Sequence, residues 1–301
     1  MTARPQYRPV RTLLGESTLD FSLTCLSSLT RYCADPIRLI VHEDGSVTEP
    51  SRDALRAALP GVEFIDRARA DAEVGDRLRS YPQCRAARAA NLMFLKIFDV
   101  ALLASEELSY SDSDILYLRP FQGIFGPSSA RFPAMFMTDV KEAYAVRPWQ
   151  LSPVGPIRLA GRVNAGLMRI VPGFLDLDFV EWLLGETGGH SVWARRSYWN
   201  EQTCWAALAG RTGCGLWDHR QVVMATADMT CASGDAVAIH FVSTHRGRLH
   251  EYTSRGRPPT DPPVTIGCRP AQCIGPLDQL LSDVRCRFRD RATADLHDRN
   301  V

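Results

Sequence analysis

The segment LSYSDSDILYLRPF, residues 108–121, places two carboxylates between two apolar runs and stops at a proline. It is the tightest constraint in the chain, because carboxylates set between buried strand segments are costly unless a cation or a hydrogen-bond donor accompanies them. In an extended chain residues i and i+2 point the same way, so Asp112 and Asp114 at a strand end can both reach one site. Two hard oxygen ligands at this spacing suit Mn²⁺ or Mg²⁺, and a divalent ion suits a diphosphate. An acidic surface turn is the plainer alternative, and the apolar flanks argue against it.

Around this segment short apolar runs alternate with helix-like stretches, the signature of a layered α/β fold. A strand at Thr12–Leu14 leads to capping-box spacing at Ser17–Asp20 and a helix carrying Leu19, Leu23 and Leu26. The run IRLIV (37–41) is apolar and rich in β-branched residues apart from Arg38, as in a parallel strand buried on both faces, and it is followed by the turn Asp44-Gly45. A short helix at Pro50–Leu59 and a strand at 62–66 follow. The stretch 70–103 reads as two helices broken near Pro82. Further strands are expected at 134–140, 163–171 and 236–243, with helices near 173–184 and 200–209. Beyond Tyr252 the Pro-rich stretch reads as a linker or surface loop, ahead of a last helix near Leu277–Phe288. The expected division is therefore a domain over 1–252 and a Pro-rich, helical extension over 253–301.

Composition removes several classes of function. Among 301 residues, 35 Lys+Arg against 34 Asp+Glu leave a net charge of +1 with the signs interspersed, which excludes a general nucleic-acid or membrane-surface binder. Nine cysteines at scattered spacings, with no CxxC, favour reduced thiols over a disulfide framework or a zinc site. The opening residues lack the apolar stretch of a signal peptide, and Lys96 and Asp99 interrupt the best candidate span. These features predict a cytoplasmic protein without a transmembrane segment.

SYSDSDILYLRPF resembles the Asp-x-Asp strand of the GT-A type glycosyltransferases, particularly the family-8 (glycogenin-like and galactosyltransferase-like) group. Similar elements recur in order along roughly 37–246. Lys96 stands where that group carries a donor-contacting Arg. Asn164, Ala165 and Gly166 in RVNAGLMRI look like its Asn-Ala-Gly strand. Glu201 and Gln202 in NEQTCWAALAG look like its Asp-Gln helix start, with Glu for Asp. AIHFVSTHRGR resembles the ending that supplies a third metal ligand, here His240, and a cation for the diphosphate, here Arg246. Ser243 stands for the usual Gly, and the terminal Pro-Trp is missing.

Each element also has a plainer local explanation. Asn and Gly form turns, Asn200 and Glu201 could cap a helix, a lone strand histidine is usually core, and arginines usually lie at the surface.

The resemblance implies a GT-A Rossmann-like α/β/α sandwich with a mainly parallel central sheet. It implies transfer of a sugar from a nucleotide-sugar donor, a UDP-sugar, to an acceptor hydroxyl. Asp112, Asp114 and His240 would hold Mn²⁺ or Mg²⁺. The donor would meet Asp44, Lys96, Asp112, Ser113, Asn164, Ala165, Gly166, Glu201, Gln202 and Arg246, with Glu201 the candidate catalytic group. The alternatives are a non-catalytic nucleotide-sugar or carbohydrate-binding relative, and a phosphatase using Asp-x-Asp as nucleophile and acid. The phosphatase pattern places its motif on the first strand with Thr or Val two residues on, whereas Leu116 stands there.

Overall fold

The computed structural model describes residues 7–285 apart from 127–130, 147, 152–156, 189–196, 227–228 and 230–233. The N-terminal half runs β1 (Arg8–Leu14), α1 (Leu19–Tyr32), β2 (Ile37–Glu43), α2 (Glu49–Ala58), β3 (Glu63–Ile65), α3 (Arg67–Arg77) and α4 (Pro82–Ala90). β1 begins before the apolar run at Thr12–Leu14 because Arg11 is itself buried, its guanidinium 2.8 Å from His42 Nε2 on the neighbouring strand. The capping box at Ser17 does not form, since Ser17 lies in the 3-10 turn Glu16–Thr18 and no side chain caps α1. That turn is held instead by Glu16, which accepts from the Thr48 N–H at 3.0 Å and the Ser51 hydroxyl at 2.7 Å.

The break near Pro82 is present, and the proline opens α4, where a backbone donor would lack an intrahelical partner anyway. The helix expected to continue to Leu103 stops at Ala90. The Asn91 side chain accepts from the Met93 N–H at 2.9 Å, starting the 3-10 turn Leu92–Phe94, and Lys96–Ala101 then winds as a π-helix. Such a π-turn often marks a functional position, because it redirects side chains.

The chain continues through β4 (Leu108–Ser111), β5 (Ile115–Tyr117), β6 (Phe121–Gln122), β7 (Ala134–Thr138), β8 (Leu159–Ala160), β9 (Val163–Ile170), α5 (Leu177–Gly188) and α6 (Asn200–Thr212). It ends with β10 (Gly215–Trp217), β11 (Val222–Met224), β12 (Ala238–His240), α7 (His250–Thr253), β13 (Val264–Thr265), β14 (Cys268–Pro270), β15 (Cys273–Ile274) and α8 (276–285). The large sheet has the order β14-β10-β7-β9-β4-β1-β2-β3. All its strands run one way except β9 and β14, so it is mainly parallel, as predicted. Strand alternation gives it two clad faces. Phe136 and Tyr110 join a core with α4, the π-turn, α5 and α6, whereas Met135, Met137, Leu39 and Val41 join one with α1, α2 and β5.

β5 leaves the large sheet and pairs with β12 in a second sheet, β11-β12-β5. The stretch beyond Tyr252, expected to lack regular structure, supplies β13, β14 and β15, which pair with β6, β10 and β8. These two- and three-residue strands lie at edges, where a ladder tolerates proline. The helix expected at 277–288 is α8, and residues 286–288 lie outside the described residues. No described helix is long and apolar enough to cross a membrane.

Candidate functional site

β4 runs between β1 and β9, and Asp112 immediately follows it at the carboxyl edge of the parallel strands. The Asp112 N–H donates to the Gly166 carbonyl at 2.6 Å, extending the β4–β9 ladder past Ser111. The chain then turns at Ser113-Asp114 and enters β5 in the other sheet. The two carboxylates therefore stand where the chain switches sheets, and the turn aims them rather than simple strand alternation. Register supplies the third group, because His240 pairs with Ile115 and the Phe241 N–H donates to the Asp114 carbonyl at 2.9 Å.

Ligand atoms of Asp112, Asp114 and His240 all lie within 4.8 Å of one another. His240 Nε2 is 3.0 Å from Asp114 Oδ1 and 3.5 Å from Asp112 Oδ2. Apart from this His240 contact Asp114 Oδ1 has no partner, and His240 Nδ1 is buried without one. Two hard oxygens and one imidazole this close together fit a divalent cation. Burial by itself would raise the Asp114 carboxyl, but His240 and Arg246 outweigh it and hold the group at about 2. Burial opposes protonation of His240, and Asp114 and Asp112 outweigh that and raise it. A ligating imidazole must be neutral, so a cation at this site would compete with the proton that Asp114 and Asp112 favour on His240.

Two basic side chains flank the acids. Lys96, buried on the π-turn, donates to Asp112 Oδ2 at 2.9 Å, while the Tyr110 hydroxyl donates to Oδ1 at 2.5 Å. Burial works against the Lys96 ammonium, and Asp112 and Glu201 more than compensate. Half-exposed Arg246 donates to Asp114 Oδ2 through Nε at 3.2 Å and Nη2 at 2.8 Å.

The first turn of α6 faces this cluster. Asn200 does not cap the helix: Trp199 precedes it, Asn200 is buried, and its Oδ1 lacks a partner. Glu201 is buried, accepts from Trp205 Nε1 at 2.6 Å, and is pushed up to about 7, chiefly by burial and then by the field of Asp112, with Lys96 opposing. Gln202 donates to Asp139 Oδ2 and to the Ala143 carbonyl, each at 3.2 Å. Asn164 Nδ2 donates to the same Asp139 oxygen at 2.9 Å, and its Oδ1 accepts from the Gly166 N–H at 2.9 Å. Buried Asp139, ending the apolar strand β7, thus joins the Asn-Ala-Gly and Glu-Gln elements.

The remaining predicted residues sit differently. Ser113 is half-buried in the turn, and the Ala165 side chain packs into the core. Asp44 stands at the end of β2 on the same sheet edge, its carboxylate accepting from the Ser46 N–H and hydroxyl at 2.8 and 2.6 Å. None of its described hydrogen bonds reaches the metal cluster. Asp139 and Tyr110 are the groups that sequence reasoning misses. Their signal was an acid closing a buried strand and a tyrosine two positions before an aspartate.

A Cβ on Gly166 would lie 2.4 Å from His240 Cε1 and 2.9 Å from Asn164 Oδ1. Gly166→Ala must therefore displace the imidazole, and metal affinity is expected to fall by about tenfold or more, as when a supporting contact of a ligand is lost. Titration of Mn²⁺ by isothermal calorimetry checks this, and unchanged affinity would show that His240 is not a ligand.

Among solved structures, the chain is similar to the glycosyltransferase GlyE of Streptococcus pneumoniae TIGR4, with TM-score 0.51 and 12% identity over 82% of this chain and 60% of that one. It is also similar to mouse xyloside xylosyltransferase 1, at TM-score 0.49 and 12% identity over 78% and 98%. A third is the galactosyltransferase LgtC in complex with donor and acceptor sugar analogues, at TM-score 0.48 and 14% identity over 85% and 97%. No protein-family profile and no curated protein matches the sequence. The order and direction of the strands, together with the likeness to GlyE, identify the fold as that of the GT-A glycosyltransferases.

Proposed function

We propose that this chain is a metal-dependent glycosyltransferase that moves a sugar from a nucleoside diphosphate donor, a UDP-sugar, to an acceptor hydroxyl. The observation that carries the reading is the Asp112, Asp114 and His240 cluster at the sheet switch, with Lys96 and Arg246 beside it. Those three ligands would hold Mn²⁺ or Mg²⁺, which when bound stabilises charge growing on the leaving diphosphate. Lys96 and Tyr110 hold both oxygens of Asp112 and so fix its orientation. Arg246 binds Asp114 through two of its nitrogens, and its remaining N–H groups can take phosphate oxygens. Glu201 and the Asp139–Asn164–Gln202 set offer acceptors and donors for sugar hydroxyls. The scattered cysteines, free wherever described, support a cytoplasmic setting.

Thermal denaturation with UDP tests the site. With Mn²⁺ and UDP at a hundred times its Kd the folded state gains about 2.7 kcal/mol, and EDTA should remove most of this. No shift with UDP, GDP or their sugars in the presence of Mn²⁺ would overturn the donor site. Metal-dependent binding without release of UDP from any UDP-sugar would instead favour the non-catalytic relative.

Arg246→Ala should weaken UDP by about tenfold or more through loss of a charge-assisted bond, and leave uridine unaffected. Equal losses for UDP and uridine would point to a collapsed loop.

A further inference from the structure

A cleft of about 370 Å³ opens between α3 and α4, within the roughly 300–1,000 Å³ of small-ligand sites. It is lined by Arg67, Asp71, Gly75, Arg85 and Arg88, with the buried side chains of Val74 and Leu78 beneath them. None of these residues belongs to the metal cluster or to the hydrogen bonds that hold it.

Gly75 keeps the cleft open. In the interior of α3 glycine is a poor helix former, and no crowding requires it, since a Cβ there would meet nothing within 4 Å. The space a side chain would take at this position is the cleft itself.

The guanidiniums here outnumber the acids that hold them. Arg88, whose side chain is 12% exposed, donates to the two oxygens of buried Asp99 at 2.6 and 2.7 Å and to Asp71 Oδ1 at 2.7 Å. Arg67 uses only its Nε, which donates to the same Asp71 oxygen at 2.9 Å. Among the described residues, Arg85 has no ion pair and no side-chain hydrogen bond. Three guanidiniums thus meet two carboxylates, and the Arg85 fork, both Nη groups of Arg67 and Nη1 of Arg88 keep donors to spare. Spare guanidinium donors around a cleft take an oxyanion. A phosphate monoester offers three terminal oxygens to them where a carboxylate offers two, and a bare phosphate fills only a fraction of the volume, so an organic remainder fits beside it.

We propose that this cleft is an effector site for a small organic phosphate, separate from the donor site. Asp99, which Arg88 grips, lies three residues after Lys96 on the same π-turn. An occupant that bridges Arg67, Arg85 and Arg88 ties α3 to α4 and steadies the segment that presents Lys96 to Asp112, so donor binding tightens. The effector role rests on the donor reading above, and the binding of phosphate does not.

Titration of phenyl phosphate into the full chain, followed by ³¹P NMR in EDTA at fixed ionic strength, tests the cleft. Saturable binding is expected, at least about tenfold tighter than that of benzoate measured by competition. Arg85→Gln should weaken it by about tenfold through loss of a charge-assisted bond. Gly75→Leu should block it with a melting temperature no lower than the parent's, because leucine is the better helix former. No saturable binding, benzoate bound as tightly, or a Gly75→Leu protein that binds like the parent would overturn the proposal. Binding lost in Arg246→Ala and kept in Arg85→Gln would overturn it too, since the phosphate would then lie in the donor site. With Mn²⁺ present, phenyl phosphate should tighten UDP by about fivefold in the parent and not in Arg85→Gln. Unchanged or weaker UDP binding would overturn the effector role. A parent that binds no UDP at all would overturn the donor reading and the effector role with it, but not the phosphate site.

Discussion

Replacing Asp114 by asparagine is expected to lower sugar transfer by a factor of about 10² or more, with the fold intact. The amide keeps the size of the side chain, and the Asp114 carbonyl still accepts from the Phe241 N–H at 2.9 Å, so the junction between the two sheets survives. What goes is the charge. Asp114 is the carboxylate closest to His240, at 3.0 Å, and the one that Arg246 grips at 2.8 Å. Without it His240 loses the largest of the influences that raise it, so the imidazole shifts toward its neutral form. Half-exposed Arg246 can turn to water. Stability should change little while the proposed metal site loses the more deeply buried of its two carboxylates. Asp112→Asn should behave differently, because it leaves the buried Lys96 ammonium without its closest partner and so costs stability as well as rate. Denaturation midpoints and initial rates of UDP release on the same preparations check both variants. A folded Asp114→Asn protein with near-normal turnover would remove the metal role from Asp114.

Features that depend on neighbours in sequence were legible, and features made by distant pairing were not. IRLIV is legible as a parallel strand because all its residues but Arg38 are apolar, and Leu39, Ile40 and Val41 are buried while Arg38 pairs with Glu63 at the surface; the Asp-x-Asp stands out because its flanks are apolar. β10 and β11, at three residues each, carry no periodic signal and exist because β7 and β12 offer them partners. The π-turn at Lys96–Ala101 has helical composition, so its altered winding is invisible until packing against β1 and α3 is known. His240 stands out by its likeness to a motif, whereas the physical reason for its place is the β12–β5 register. Glu201 has two local explanations that sequence cannot separate. As a first-turn acid it suits the helix dipole, and only the tertiary structure shows it buried opposite Lys96 and Asp112.

Those two explanations predict opposite signs for Glu201→Gln. If the carboxylate serves only the helix dipole, the amide should cost about 0.3–1 kcal/mol at neutral pH. The buried site predicts a gain. Burial is the largest influence on Glu201 and the field of Asp112 adds to it, so the folded protein holds this proton up to about 7, against an ordinary value of 4.5. A carboxyl raised on folding contributes stability that is complete below 4.5 and is lost as pH climbs to about 7. Glutamine resembles the protonated acid and can still accept from Trp205 Nε1, so the variant should not pay that loss. In EDTA, parent and variant should match near pH 4, and Glu201→Gln should be the more stable by about 2–3 kcal/mol at pH 8. If Glu201 meets sugar hydroxyls as proposed, transfer should nevertheless fall, because a charged acceptor becomes a neutral one. Urea midpoints at both pH values, with the transfer rate at pH 8, decide the matter. A variant that is less stable at pH 8 would return Glu201 to the helix dipole, whereas one that is more stable and slower marks a residue kept for the site at the expense of the fold.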